Sequence, residues 1–334
     1  MKIFSTIVFI FVIGLSLSAD DGMEKLKLQH ENHVVKKHTT WNGWKHKPIV
    51  DRISVIPQNV LEYIEIDNKI YGYEGIPQQV SIDNALNKDL IAAIEELPPE
   101  VREQLKNNLI GIFILSGLGS TGFSEHVFND KEYDGGFIVL DQDVLLDFTA
   151  NQWASWSINS AFKKPQEYEL SLKIEEDLSN TRKQAIQFIL IHEMAHIIGP
   201  SIKAHPRSNE GDPKLFEFSS FSWNAYDTSK YDDNFKYRKE FKLYRFEEAS
   251  LELKDSQKII TDLKNTDFCS VYSSYSFFED FAEAYAIYVH SVLMKKPYIL
   301  TLSHKGKEIE SFRDPYKSEN LQKKKQYFDK LFAN

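Results

Sequence analysis

Between Arg182 and Pro200 the apolar positions run almost unbroken: Ala185-Ile186, Phe188-Ile189-Leu190-Ile191, Met194-Ala195 and Ile197-Ile198. No Gly or Pro interrupts Arg182 to Ile198, and Ser179, Asn180 or Thr181 can cap the start. The pattern predicts a buried helix that Gly199 closes in the left-handed position and Pro200 stops. A second apolar helical pattern runs from Ser270 to His290. Continuous apolar runs at Ile110–Leu115 and Gly135–Asp141 predict buried strands, the second opened by two glycines. Ile53–Ile56 reads as a short strand, and Tyr63–Ile66 facing Ile70–Tyr73 across Asp67-Asn68-Lys69 reads as a hairpin. Helices are expected over Asn84–Glu96 and Glu100–Leu109, over residues 246–264, and from about Ser318 in a lysine-rich tail. Residues 151–178 read as irregular connection with Trp153 and Trp156 as packing anchors. Strands and helices mixed in this way predict an α+β fold.

The first nineteen residues do not belong to that core. Lys2, the apolar run Ile3 to Leu15 and the small residues Ser16, Ser18 and Ala19 form a secretory signal pattern, with an uncleaved anchor as the alternative. Residues 20–47 are polar and His-rich (His30, His33, His38, His46) and are expected to form a flexible mature N-terminus, although such tracts can bind metal. Residues 48–334 are then expected to form one catalytic domain, with an inserted, partly aromatic segment at about 200–268.

Charge and cysteine usage narrow the setting. Loss of Lys2 leaves 39 basic against 49 acidic residues, a net charge of −10 on the mature chain. Such a chain has no general attraction for nucleic acid or anionic membranes, and no later stretch is apolar enough for stable membrane insertion. The single cysteine, Cys269, cannot form an internal disulfide. The expected location is secreted or periplasmic.

The polar residues inside the two apolar helices carry the candidate chemistry. His192 and His196 lie four apart in His-Glu-x-x-His, so one helix face aims both imidazoles at one metal ion with Glu193 beside it. Zinc hydrolysis asks for this set: two neutral nitrogens, a third ligand, and a carboxylate that takes a proton from water. The alternative is a buried helix with two histidines by accident, but burying two His and one Glu is costly unless something satisfies them. Glu279 and Glu283 share a face of the second helix and can supply the third ligand and an acceptor for the outer N–H of a ligating His. Ser276-x-x-Glu279 is also a capping box, which would give Glu279 a purely local task. Asp280 lies about 100° round that helix and reads as solvent-facing or structural. His205 follows no ligand spacing. His290 reads as packed or solvated, Lys323-Lys324-Lys325 as a solvated face, and the loop Ser116–Gly122 lacks the Lys-Ser/Thr of a phosphate loop.

His-Glu-x-x-His followed by Glu-Asp-Phe-Ala-Glu-Ala-Tyr, with Tyr272 seven residues before Glu279, resembles the anthrax lethal factor-type metallopeptidases, the group that includes the secreted Pro-Pro endopeptidases. The resemblance rests on these two short motifs and implies a zincin catalytic domain, a small mixed sheet packed on helices. It implies zinc on His192, His196 and Glu279, Glu193 as general base and Glu283 behind the ligands. Tyr272 would hydrogen-bond the oxyanion or donate a proton, with Tyr275 as a rival. The span from His196 to Glu279 is long for that family and implies an insertion. The expected function is a secreted zinc endopeptidase with a peptide or protein substrate. The alternatives are a non-proteolytic zinc-stabilised binding protein, or a zinc hydrolase of a non-peptide substrate such as a cell-wall amide.

Overall fold

A computed structural model of the chain describes residues 22–73, 75–163, 167–241, 243, 249 and 251–333, so the expected leader lies outside the described residues. One sheet contains β1 (Ile53–Val55), β2 (Leu109–Leu115), β3 (Gly122–Asn129) and β4 (Glu132–Asp141) in the order β1-β2-β4-β3. β1, β2 and β4 are parallel, and β3 returns antiparallel to β4 as an edge strand. A second sheet is the antiparallel meander β5 (Tyr168–Lys173), β6 (Ile299–His304) and β7 (Lys307–Arg313). The helices are α1 (residues 22–31), α2 (Gln58–Tyr71), α3 (Asn84–Glu95), α4 (Pro99–Asn108), α5 (Gln142–Asp147), α6 (Ala150–Asn159), α7 (Arg182–Ser201), α8 (Ser256–Lys264), α9 (Phe277–Ile287) and α10 (Gln322–Leu331). The class is mixed α+β.

Both faces of the first sheet are covered, which is why β2 and β4 are continuous apolar runs. Ile112, Ile114, Ile138 and Leu140 join the large core that contains α7 and α9. Phe113, Leu115, Phe137 and Val139 face a second core formed with α2 and the N-terminal segment. The glycine pair at the head of β4 sits where the backbone is crowded. Gly135 has φ +135°, and a Cβ on Gly136 would lie 2.5 Å from the Glu125 carbonyl oxygen and 2.9 Å from Ile197 Cγ1. The pair lets β3 and α7 close on the strand.

Several expectations are corrected here. The segment expected to be flexible forms α1 and a series of short turns and joins the second core at Val35, Trp41 and Trp44: Val35 and Trp41 are buried, and Trp41 stacks on Phe113 at 5.4 Å. The buried Arg52 guanidinium fastens it by donating to the carbonyls of Lys45 (2.7 Å), Lys47 (2.9 Å) and Lys106 (3.0 Å). The expected hairpin at 63–73 is helix α2, closed by Gly72 in the left-handed region. Its buried Val60, Leu61 and Ile64 have helical spacing that local alternation masked. Within the stretch expected to be irregular connection, residues 151–159 belong to α6 and 168–173 form β5. α7 continues through Gly199 and Pro200 to Ser201, and the left-handed position falls on Lys203. Gly199 serves close packing instead: a Cβ there would lie 2.4 Å from His205 Nε2. The expected helix at 246–264 is confined, among the described residues, to α8.

Lys324, expected on a solvated face, is interior, and Asp280, expected to be solvent-facing or structural, takes the structural place. Asp280 is fully buried, accepts a hydrogen bond from Trp223 Nε1 (2.9 Å) and pairs with Lys324 Nζ at 2.6 Å. Lys324 is equally buried. Burial disfavours its ammonium, but the Asp267 and Asp280 carboxylates more than offset this and hold its pKa above the ordinary value. The pair ties α10 to the first turn of α9. Lys324→Met leaves Asp280 buried without its cation and is expected to destabilise the fold by about 3–5 kcal/mol in denaturant unfolding. A change below about 1 kcal/mol would contradict this role for the pair.

Candidate metal centre

α7 and α9 pack within one core, and their facing polar residues meet at one point. His192 Nε2 and His196 Nε2 are 3.2 Å apart, and Glu279 Oε2 lies 3.4 Å from each. Zinc in a tetrahedral site holds such donors at about 2.0–2.1 Å, which places neighbouring donor atoms about 3.3–3.4 Å apart. The triangle therefore has the size that one such ion requires. Glu279 Oε2 is buried without a well-aligned hydrogen bond, the state expected of an oxygen left for a cation. Among the described residues this is the one group of three His, Cys, Asp or Glu side chains placed to hold a metal.

The local sequence explains each placement. The four-residue spacing on α7 stacks the two imidazoles on one face. Ser276 caps α9 by accepting from the Glu279 N–H at 3.3 Å, while the Glu279 side chain turns to the histidines. Capping and metal geometry thus use different atoms of Glu279. One turn on, Glu283 Oε1 accepts a hydrogen bond from His192 Nδ1 at 3.0 Å. That fixes the tautomer in which the Nε2 lone pair faces the centre. Tyr272 stacks parallel to the His192 ring (5.8 Å between centroids) and lines the cavity over the triangle. Tyr275 is 45 % exposed and stands outside that cavity. His205 is no part of the centre: its Nδ1 bonds the Pro206 carbonyl at 2.7 Å and its ring is wedged among Phe277, Phe278 and Phe281. His290 is buried in the turn Tyr288–Leu293 that follows α9, with Nε2 on the Ile174 carbonyl at 2.7 Å.

Glu279 and Glu283 give the centre the negative potential that a cation needs. Burial disfavours the His192 imidazolium, but Glu279 and Glu283 more than offset it and hold its pKa well above the ordinary value. Burial also works against the Glu279 carboxylate, yet the charge of His196 and the nearness of His192 keep it well below the usual range. A cation entering the triangle must displace the His192 proton. Affinity for a divalent metal ion is therefore expected to weaken as pH falls and to rise with pH until that proton is gone, with about one proton released per ion bound. Calorimetric titration in buffers of different ionisation enthalpy checks it, and pH-independent binding without proton release would contradict it. Glu193 is buried, which pushes its pKa up; His192, His196 and a hydrogen bond from Ser124 pull it back only in part.

The residues that sequence reasoning missed lie on β3. β4, opened by its two glycines, is interior to the sheet, between β2 and β3. The edge strand is β3. Thr121 O accepts from Asp141 N (3.0 Å) across the sheet, so by the two-residue period Gly122 and Ser124 turn their backbone groups outward. The N–H of His126, also outward, is taken by Glu125 Oε1 at 2.8 Å. His126 Nε2 donates to the carbonyl of His196 at 3.0 Å. That carbonyl lacks a helical partner because residue i+4 is Pro200, which has no N–H. Tyr133 OH donates to the next carbonyl, Ile197 O. The edge strand is thereby bolted to the last turns of the ligand helix.

A cavity of about 520 Å³ lies along β3 over the triangle. Its walls include Trp153, bonded to Thr121, with the apolar Ile158, Leu172 and Phe188, and Arg207, which lies over Tyr133 beside His126. Comparison of the chain with protein-family models, curated proteins and solved structures returns no match. No helix among the described residues is long and apolar enough to cross a membrane.

Proposed function

We propose that this protein is a zinc-dependent endopeptidase with a zincin-type catalytic domain, exported from the cytoplasm. The observation that carries the reading is the donor triangle of His192, His196 and Glu279 with Glu193 beside it, set under a cleft along the Gly122–Ser124 stretch of the sheet's edge strand. A structural metal site needs only ligands and is normally closed by four. Here three ligands face a cavity, and a buried carboxylate of raised pKa stands next to them.

His192, His196 and Glu279 would hold the ion, and zinc so bound supplies Lewis acidity to a carbonyl and to a water. The chain's own groups do the rest. The outward backbone groups of Gly122 and Ser124 pair with an extended peptide and lay its scissile amide over the triangle. Glu193 takes a proton from the attacking water and passes it to the leaving amine; its raised pKa brings the two transfers closer in energy. Ser124 holds the Glu193 carboxylate. Glu283 keeps His192 in its metal-facing tautomer. Tyr272 supplies a phenol at the cavity wall for the developing oxyanion.

The test is cleavage of a mixed-sequence peptide library by zinc-loaded protein beginning at residue 20. Internal cleavage that a chelator stops and zinc restores is expected. Zinc binding with no peptide cut, alongside release of amides from cell-wall fragments, would overturn the peptidase reading in favour of a non-peptide hydrolase.

A further inference from the structure

We infer that Arg207 makes this site selective for peptides that present a carboxylate at the His126 end of the cleft; the inference rests on the peptidase reading above. The cavity has two unlike poles along one strand. Trp153 marks the first, donating from Nε1 to Thr121 Oγ1 (3.0 Å) at the start of β3. Arg207 marks the second. Its guanidinium lies over the Tyr133 ring at 6.0 Å, and Tyr133 in turn packs edge-on against His126 at 5.5 Å. Nη1 reaches towards the Lys131 carbonyl, 3.5 Å away, at the β3–β4 turn.

Arg207 is the one Lys or Arg among the cavity walls described. The carboxylates that share those walls are already engaged. Glu125 is held by Tyr63, by Lys36 at 3.7 Å and by the His126 N–H. Glu279 faces the two histidines, Glu283 holds His192, and Glu193 bonds Ser124. Among the described residues Arg207 forms no ion pair, and its two contacts leave most of its five donors unused. Such a fork at the mouth of a cleft is matched by a planar carboxylate.

Register sets the distance. Strand residues rise about 3.3 Å each, so His126 lies about 7 Å beyond Ser124, the residue level with Glu193. A carboxylate about two or three residues from the cut bond therefore comes under Arg207. An Asp or Glu side chain satisfies this with either strand direction; the C-terminal carboxylate does so only if the peptide runs parallel to β3.

The experiment uses zinc-loaded protein and one cleaved peptide from the library. Asp or Glu is placed in turn at each position from four before to four after the cut, each paired with its Asn or Gln counterpart, and the C-terminus is made as acid and as amide. For wild type, kcat/KM for the acidic member is expected to exceed its neutral pair by about five- to tenfold at one or two positions on a single side of the cut, mostly through KM, fading as salt rises. A preference for the free acid over the amide would assign the terminal carboxylate instead. Arg207→Ala should remove the ratio, Arg207→Glu invert it, and Lys131→Gln, which lies outside the cavity, preserve it. Binding of the same peptide pairs to Glu193→Gln protein gives a readout independent of turnover. Cleavage with equal rates for acidic and neutral peptides would overturn the inference and leave the peptidase standing. Selective binding of acidic peptides that are never cut would do the reverse.

Discussion

Glu193→Gln is expected to keep its zinc and lose peptide hydrolysis by roughly 10³-fold or more, since general acid–base catalysis by one positioned group contributes up to about 10⁴-fold. The side chain is buried beside the donor triangle, is bonded by Ser124, and is not among the three donors. The amide keeps the shape and can still accept a hydrogen bond, but it cannot take a proton. The loss should therefore appear in kcat, with substrate affinity nearly intact. Metal analysis and kinetics on the same preparation check the prediction. Turnover close to wild type would show that another group moves the proton.

Removal of Glu279, the proposed third ligand, is the second large effect. Glu279→Ala takes away the one anionic donor and leaves two imidazoles, 3.2 Å apart, with an open side. Loss of a partner behind a ligand costs about 10–100-fold in metal affinity, and loss of the ligand itself should cost at least about a hundredfold. Activity should fall with it at any ordinary zinc concentration. The helix should persist, because its cap uses the Glu279 N–H and Ser276 Oγ, which the substitution leaves in place. Unchanged metal affinity in a folded variant would remove Glu279 from the centre.

The grouping of the candidate site was more legible in the sequence than the scaffold. His192, Glu193, His196, Glu279 and Glu283 stood out because each is a polar residue inside an apolar helical run, where burial without a partner is costly. Continuous runs gave β2 and β4, since strands covered on both faces need no alternation. The scaffold hid where the local pattern misled. α2 alternates as a strand would over Tyr63–Ile66, and only its contact with β2 and β4 selects the helix. The N-terminal segment looked solvated, but Val35 and Trp41 are enough to anchor it. Lys324 sat in a lysine run, and its partner Asp280, 44 residues earlier, is met only in three dimensions. β3 escaped because the face it turns to α7 is polar: Ser124 and His126 line the cavity rather than a core. One signal was available. Pro200 sits four residues after His196, so the carbonyl of a metal-ligand candidate had to find a donor elsewhere.

The most direct test of the account is the zinc content of purified protein beginning at residue 20, measured for wild type and Glu279→Ala in parallel after equal loading and exhaustive dialysis. The expected result is about one zinc per chain in wild type and clear loss in the variant, with both proteins folded by circular dichroism. No retained zinc in wild type, or equal retention in both, would contradict a metal centre built from His192, His196 and Glu279.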